Sequence, residues 1–233
     1  MSFVFEGVAN AAADSASVTI ASGSRAATAG NLIVGCAVCQ VDTPGAFSVS
    51  DTAGNTFEYG TARQHSVQSL FLRPFYARNI TANAANVITA DFTSSVRFRS
   101  IVWHEYSGVG VSTCELADDD VGETLSGATA LSTPTLTLAR AGVVVGLLCP
   151  YGTRTFTTTN TERYDPASYY LGSLDRIEGS AGSYALDATW SGAIESVMSA
   201  LAFQLAGGGG GEQPETIFVP RRRIIRTRRR LSA

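Results

Sequence analysis

Ala29-Gly30-Asn31-Leu32-Ile33-Val34-Gly35 and, in the second half of the chain, Ala141-Gly142-Val143-Val144-Val145-Gly146 decide the fold. Each leaves a small-residue turn and runs into consecutive aliphatic and β-branched residues, the pattern of a strand buried among other strands. The segments that follow also correspond. Asn55-Thr56-Phe57-Glu58-Tyr59 is matched by Asn160-Thr161-Glu162-Arg163-Tyr164, Phe71-Leu72 by Tyr170-Leu171, and Asp91-Phe92-Thr93 by Thr189-Trp190-Ser191. Each half then closes on an apolar run, Ile101 to Tyr106 and Ala200 to Leu205. The offset drifts from about 110 to 98 residues, as loops of unequal length produce in a duplicated unit.

Helical periodicity is nearly absent. Strands are predicted at 3–8, 16–20, 31–41, 46–50, 55–63, 67–77, 86–92, 97–107, 134–139, 142–149, 155–159, 168–176, 183–190 and 196–205, separated by Gly, Asn, Asp and Pro clusters. The expected fold is all-β: one antiparallel β-sandwich of jelly-roll type built from two similar five-stranded halves. The halves must pack on each other, because five strands alone would leave an apolar face open. The body is residues 1–206, with halves at about 1–110 and 130–206.

Hydrophobic residues make up 45% of the 233 and charged residues 16%, which excludes a disordered chain. No apolar run approaches the ~18 residues of a membrane helix. Met1-Ser-Phe-Val-Phe-Glu offers neither a basic nor a long apolar segment, so no secretory signal is read. Four cysteines are few for a disulfide framework. Cys36 and Cys39 form a C-x-x-C inside the strand-like run Leu32 to Val41. Their odd spacing puts the sulfurs on opposite faces, which suits buried structural thiols and not a redox or zinc motif.

The C-terminus departs from this composition. All 17 basic residues are arginine. Ten of them face 18 acids in residues 1–206, a net charge of about −8, whereas seven against two give residues 207–233 about +5. Residues 207–216, opening on Gly207 to Gly211, read as a flexible hinge. Residues 217–233 read as an anchoring arm whose contacts would be Ile217, Phe218, Val219, Arg221, Arg222, Arg223, Ile224, Ile225, Arg226, Arg228, Arg229 and Arg230. Thr216 to Val219 is β-prone, suited to adding a strand to a neighbour's sheet edge, and Pro220 ends it. The arginines suit bidentate docking on carboxylates. Phosphate neutralisation is the alternative, but the interleaved aliphatic residues favour a protein surface.

Gly30-Asn31-Leu32-Ile33-Val34, Val49-Ser50-Asp51-Thr52-Ala53-Gly54-Asn55-Thr56-Phe57, Phe75-Tyr76-Ala77-Arg78-Asn79 and Glu105-Tyr106-Ser107-Gly108-Val109 together resemble a β-sandwich module. That module recurs in phage virion proteins and in bacterial surface or secreted proteins. The resemblance spans roughly residues 29–206. Its motifs are strand and turn positions, so it implies a displayed structural or binding module and brings no catalytic residues.

Other constellations are weak. In Trp103-His104-Glu105-Tyr106, alternation puts His104 and Tyr106 on one face, expected to be the less buried one. His65 falls in an expected hairpin loop. No nucleophile–His–acid order stands out, so no enzyme, cofactor or metal is expected. Glu115, Asp118, Asp119, Asp120 and Glu123 read as a solvated acidic loop joining the halves, without calcium-loop spacing. Tyr151, Tyr164, Tyr169 and Tyr170 would form a sugar-stacking platform only if the loops brought them together. Asn79-Ile80-Thr81 fits the N-glycosylation pattern but carries no weight without a secretory route.

The function expected from these features is that of a phage virion structural protein, specifically a capsid decoration or cement protein. It would be made in the host cytoplasm and held on the major capsid protein, or another virion protein, by its arm. A closed homo-oligomer, most simply a trimer, follows from that role, with no membrane partner. A tail-associated receptor- or glycan-binding module is the alternative, and a nucleic-acid-binding virion protein the second.

Overall fold

A computed structural model describes residues 2–41, 46–65, 69–108, 110–151, 155–165 and 171–207, with backbone alone at 65, 121 and 123–126. The first half contributes ten strands: β1 (Val4–Ala13), β2 (Ser17–Ala21), β3 (Arg25–Ala27), β4 (Leu32–Gln40), β5 (Ser48–Asp51), β6 (Glu58–Tyr59), β7 (Arg63–His65), β8 (Leu70–Ala77), β9 (Asn83–Asn86) and β10 (Ile88–Ser107). A 3-10 turn at Val111–Thr113 leads to the second half. Its strands are β11 (Glu115–Ser132), β12 (Leu136–Leu138), β13 (Gly142–Pro150), β14 (Phe156–Thr157), β15 (Thr161–Tyr164), β16 (Gly172–Glu178), β17 (Gly182–Tyr184) and β18 (Asp187–Gln204).

The protein is an all-β sandwich, and the duplication is visible strand by strand. One large sheet runs β1-β10-β4-β8-β6 and the other β11-β18-β13-β16-β15. Every ladder is antiparallel. Small sheets repeat as well: β3-β9 in the first half answers β12-β17 in the second, and β5 on β10 answers β14 on β18. The far end of β11 pairs β18 through Ala130 to Ser132, as the separate strand β2 pairs β10 in the first half.

Three cores explain why the central strands read as unbroken apolar runs. Leu32, Val34, Cys36 and Val38 on β4 meet Val143, Val145, Leu147 and Cys149 on β13 in a core between the halves. The alternate residues Ile33, Ala37 and Cys39 pack with Phe57, Phe71, Phe75, Phe92 and Trp103 in a core inside the first half. Val144 and Leu148 pack with Leu136, Leu138, Leu174, Leu186, Trp190 and Met198 inside the second. Strands β4 and β13 are therefore buried on both faces, so neither face can be polar. Cys36 and Cys39 fall in different cores, as their odd spacing requires, and all four cysteines are buried free thiols.

The structure corrects several boundaries. Segments 86–92 and 97–107 are one strand, β10, which bends where its register breaks between Asp91 and Val96 and between Arg97 and Ser100. Thr93 and Phe98 take positive φ at that bend, so one strand serves two layers. Likewise 183–190 and 196–205 are bridged by β18, apart from a separate short β17. His65 ends β7, paired with Leu70, not a loop. The polar segments β3, β9 and β15 carry too few apolar residues to signal a strand. Among the described residues no helix is long and apolar enough to cross a membrane.

Candidate functional site

None of the arm residues named above, Ile217 to Arg230, lies within the described residues, and neither do Tyr169 and Tyr170. Gly207, the last residue described, sits against Arg140: a Cβ there would be 2.6 Å from a guanidinium nitrogen. Arg140 in turn pairs with Glu115 (3.1 Å) and donates to the Leu205 carbonyl (3.3 Å). The described chain therefore ends beside the start of β11.

The expected acidic loop is a strand. Glu115, Asp118, Asp119, Asp120 and Glu123 all lie on β11, at the edge of the second sheet. The pleat turns neighbouring carboxylates apart. Asp118 Oδ2 accepts the Thr137 N–H (2.8 Å) in the outer layer, whereas Asp119 Oδ2 accepts the Thr61 N–H (2.6 Å) from the first half. Burial, then Asp120 and Asp118, raise the Asp119 carboxyl above its ordinary range, against the pull of Thr61. Charge-rich, glycine-broken sequence hides a strand because it belongs to an edge, where carboxylates deter unwanted pairing. Among the described residues no group of three or more His, Cys, Asp or Glu could hold a metal ion.

The residues with the most unusual chemistry lie between the halves. Strand β10 turns His104 and Tyr106 toward the second half, and Trp103 and Glu105 toward the first half's own core. That alternation matches the sequence expectation. The expected exposure does not: His104 is fully buried, because β10 has sheet partners and packed layers on both faces. Opposite it, β16 presents Ser173 and Asp175, both fully buried. His104 Nε2 lies 2.7 Å from Ser173 Oγ and its Nδ1 3.1 Å from the Tyr106 oxygen. Tyr106 donates to Asp175 Oδ2 (2.8 Å), which also accepts from Arg163 Nε (2.9 Å). Arg163 lies 3.9 Å over the Phe5 ring, and Phe5 meets His104 edge-on at 5.7 Å.

Burial governs titration here. It lowers His104 to about 3, helped by Arg163 and Arg25. It pushes Tyr106 well up, with Asp175 adding to the effect. It raises Asp175 as well, although Arg163 and Tyr106 pull the other way. A serine, a histidine and an aspartate are thus connected, as in a hydrolase. Yet Ser173 and His104 have no exposed surface to meet a substrate, so the contacts tie two sheets together. Sequence reading missed Ser173, Asp175 and Arg163. Two polar residues two apart on one predicted core strand, 168–176, were the available signal.

A second buried network repeats in both halves. Glu105 accepts from Arg25 (2.5 Å), the Thr28 N–H (2.8 Å) and Asn31 Nδ2 (2.7 Å). Gln204, near the end of β18, accepts the Ala139 N–H (2.7 Å) and donates to Glu115 (2.6 Å). Each clamps the loop that enters its half's central strand. The turn motif Asp51 to Asn55 has a similar use: Asp51 accepts from the Asn55 backbone and side chain and from Asn86, while Asp187 holds Thr159 and Asn160. Tyr164 packs against the inter-half core and Tyr151 is exposed, so these two do not make a platform.

Comparison with known proteins finds no family model, no curated protein and no solved structure that matches the chain.

Proposed function

We propose that the protein is a phage virion structural protein, a decoration or cement module that its C-terminal arm fixes to a repeating protein lattice. The observation that carries this reading is the charge split between a body near −8 and an arm near +5, joined through five consecutive glycines. The body supports it: the buried carboxylates Asp175 and Glu105 are each paired with an arginine, Arg163 and Arg25, and the described chain ends at one edge beside Arg140 and Glu115. Isoleucine, phenylalanine and valine among the arginines suit a protein groove better than a phosphate backbone. An arm laid across a joint between lattice subunits stabilises the assembled state by mass action, and several arms per oligomer add avidity.

Co-sedimentation with phage particles stripped of accessory proteins tests this. The full chain should bind and survive moderate salt, and a chain lacking residues 207–233 should not. Equal binding by both would move the interface to the body. Retention by naked nucleic acid instead, with a steep salt dependence, would favour the nucleic-acid reading.

A further inference from the structure

The hydrogen bonds around His104 run in one direction. Asp175 Oδ2, as a carboxylate, accepts from both Arg163 Nε and Tyr106. With its proton committed to Asp175, the Tyr106 oxygen accepts from His104 Nδ1. His104 Nε2 is then bare and accepts from Ser173. A neutral imidazole in the Nδ1–H form completes this chain. A proton on Nε2 would turn Ser173 from donor to acceptor, orphan its O–H, and place a cation in an apolar interior.

The surroundings cannot welcome that cation. From β1, the Phe5 ring stands perpendicular to His104 at 5.7 Å and already carries the Arg163 cation over its face. From β10 comes Tyr106, and from β3 the Arg25 cation, held by Glu105. From β15 comes the Arg163 cation, and from β16 come Ser173 and the carboxylate Asp175, whose Oδ2 already serves two donors and whose Oδ1 is buried without a hydrogen-bond partner. His104 and Tyr106 belong to one half, and Ser173, Asp175 and Arg163 to the other. Behind each sheet lies a separate core that does not include this cluster.

We propose that the cluster is an acid-operated latch: a proton taken up by His104 parts the facing sheets of the two halves while each half keeps its own core. In the closed form burial holds His104 down to about 3, and once exposed the ring titrates near ~6.5. Between those values the open form binds one more proton, so the opening equilibrium rises about tenfold per pH unit of acidification. Because the exposed ring is already half protonated at pH ~6.5, the rise from there to pH ~4.5 is about 50-fold. Asp175, raised by burial, binds its proton more tightly when closed and so opposes opening at the acid end of the window.

The cysteines report which interface opens. Cys36, Cys114 and Cys149 lie in the core between the halves, and Cys39 in the first half's own core. The full chain would be pulsed with 4,4′-dithiodipyridine, which reacts with thiols in acid, and each cysteine read by mass spectrometry. Relative to a free thiol at the same pH, labelling of Cys36 and Cys149 should accelerate about 50-fold between pH ~6.5 and ~4.5 while Cys39 stays protected. His104→Phe should abolish the acceleration. If that variant does not fold, imidazole NMR of the unmodified chain decides, since it has two histidines. His104 should stay neutral in the Nδ1–H form while the halves remain closed. Labelling of all four cysteines together, no acceleration, or a His104 that titrates near ~6.5 in the closed protein would overturn the latch.

Discussion

The two halves share a ladder and differ in what fills it. The first packs Phe57, Phe71, Phe75, Phe92 and Trp103 behind its sheet; the second packs Leu136, Leu138, Leu148, Leu174, Leu186 and Met198, with two aromatic residues, Phe156 and Trp190. Strand order is nevertheless the same, down to the two-stranded outer sheets. Alternation and strand spacing therefore set the topology, while side-chain volume is negotiated locally in each core. The halves also differ in how they handle one buried polar position. Glu105 and Gln204 each clamp the loop before a central strand, one with a charge and one without.

The largest effect should come from separating those clamps. Glu105→Ala leaves Arg25 partly buried and the Thr28 N–H and Asn31 amide without their acceptor. Loss of a buried pair partner costs about 3–5 kcal/mol. Gln204→Ala removes a neutral acceptor from the Ala139 N–H, for about 1–3 kcal/mol. Urea unfolding of the two variants measures the difference. Equal losses would mean that the charge adds nothing and that the two clamps are alike in energy as well as in place.

A smaller contrast tests the cores. Ala at Gly35 would put its Cβ 2.5 Å from the Phe75 ring and 2.6 Å from the Val102 carbonyl oxygen, a ring and a backbone atom that cannot both yield. At Gly146 the nearest atoms are Leu186 Cδ1 at 2.8 Å, Leu174 Cγ at 3.1 Å and Met198 Sδ at 3.2 Å, all on side chains with other rotamers. Overpacking costs about 1–3 kcal/mol, and Gly35→Ala should fall at the top of that range with Gly146→Ala at the bottom. Thermal unfolding of both would settle the order. A reversal would show the aromatic core to be the more compliant.

What the sequence revealed follows the same line. Leu32 to Val41 and Val143 to Cys149 were legible because strands buried on both faces have no polar positions to blur the pattern. The odd spacing of Cys36 and Cys39 placed them in separate cores without any further information. The burial of His104 was not legible, because Ser173, its hydrogen-bond partner, and Asp175, the partner of Tyr106, arrive from a strand about 70 residues away. Strand β11 was hidden for the opposite reason. Acids and glycines mark an edge strand as surely as they mark a loop, and only the partner strand β18 distinguishes the two.

That edge supplies the smallest and most diagnostic test. Strands β1 and β11 hold equivalent edges, each with a register break near its start, at Phe5/Gly7 and Leu116/Asp118. On β1 the following residues are Val8, Ala9 and Asn10; on β11 they include Asp119 and Asp120, beside Asp118. Asp119 Oδ2 accepts from Thr61, but its Oδ1 is buried with no hydrogen-bond partner. Because burial raises its carboxyl, the folded chain holds that proton more tightly than the unfolded one. Stability from this group is present at low pH and is lost as pH rises through the raised value, so ionised Asp119 is a cost at neutral pH. Asn at this position still accepts from Thr61 and never ionises. Asp119→Asn should therefore unfold at a higher urea concentration than the unsubstituted chain at pH ~7, and the advantage should vanish as pH falls below the ordinary carboxylate range near ~3.9. A variant less stable at neutral pH would mean that the carboxylate is needed on this edge, and that the difference between β1 and β11 is one of function and not of tolerated strain.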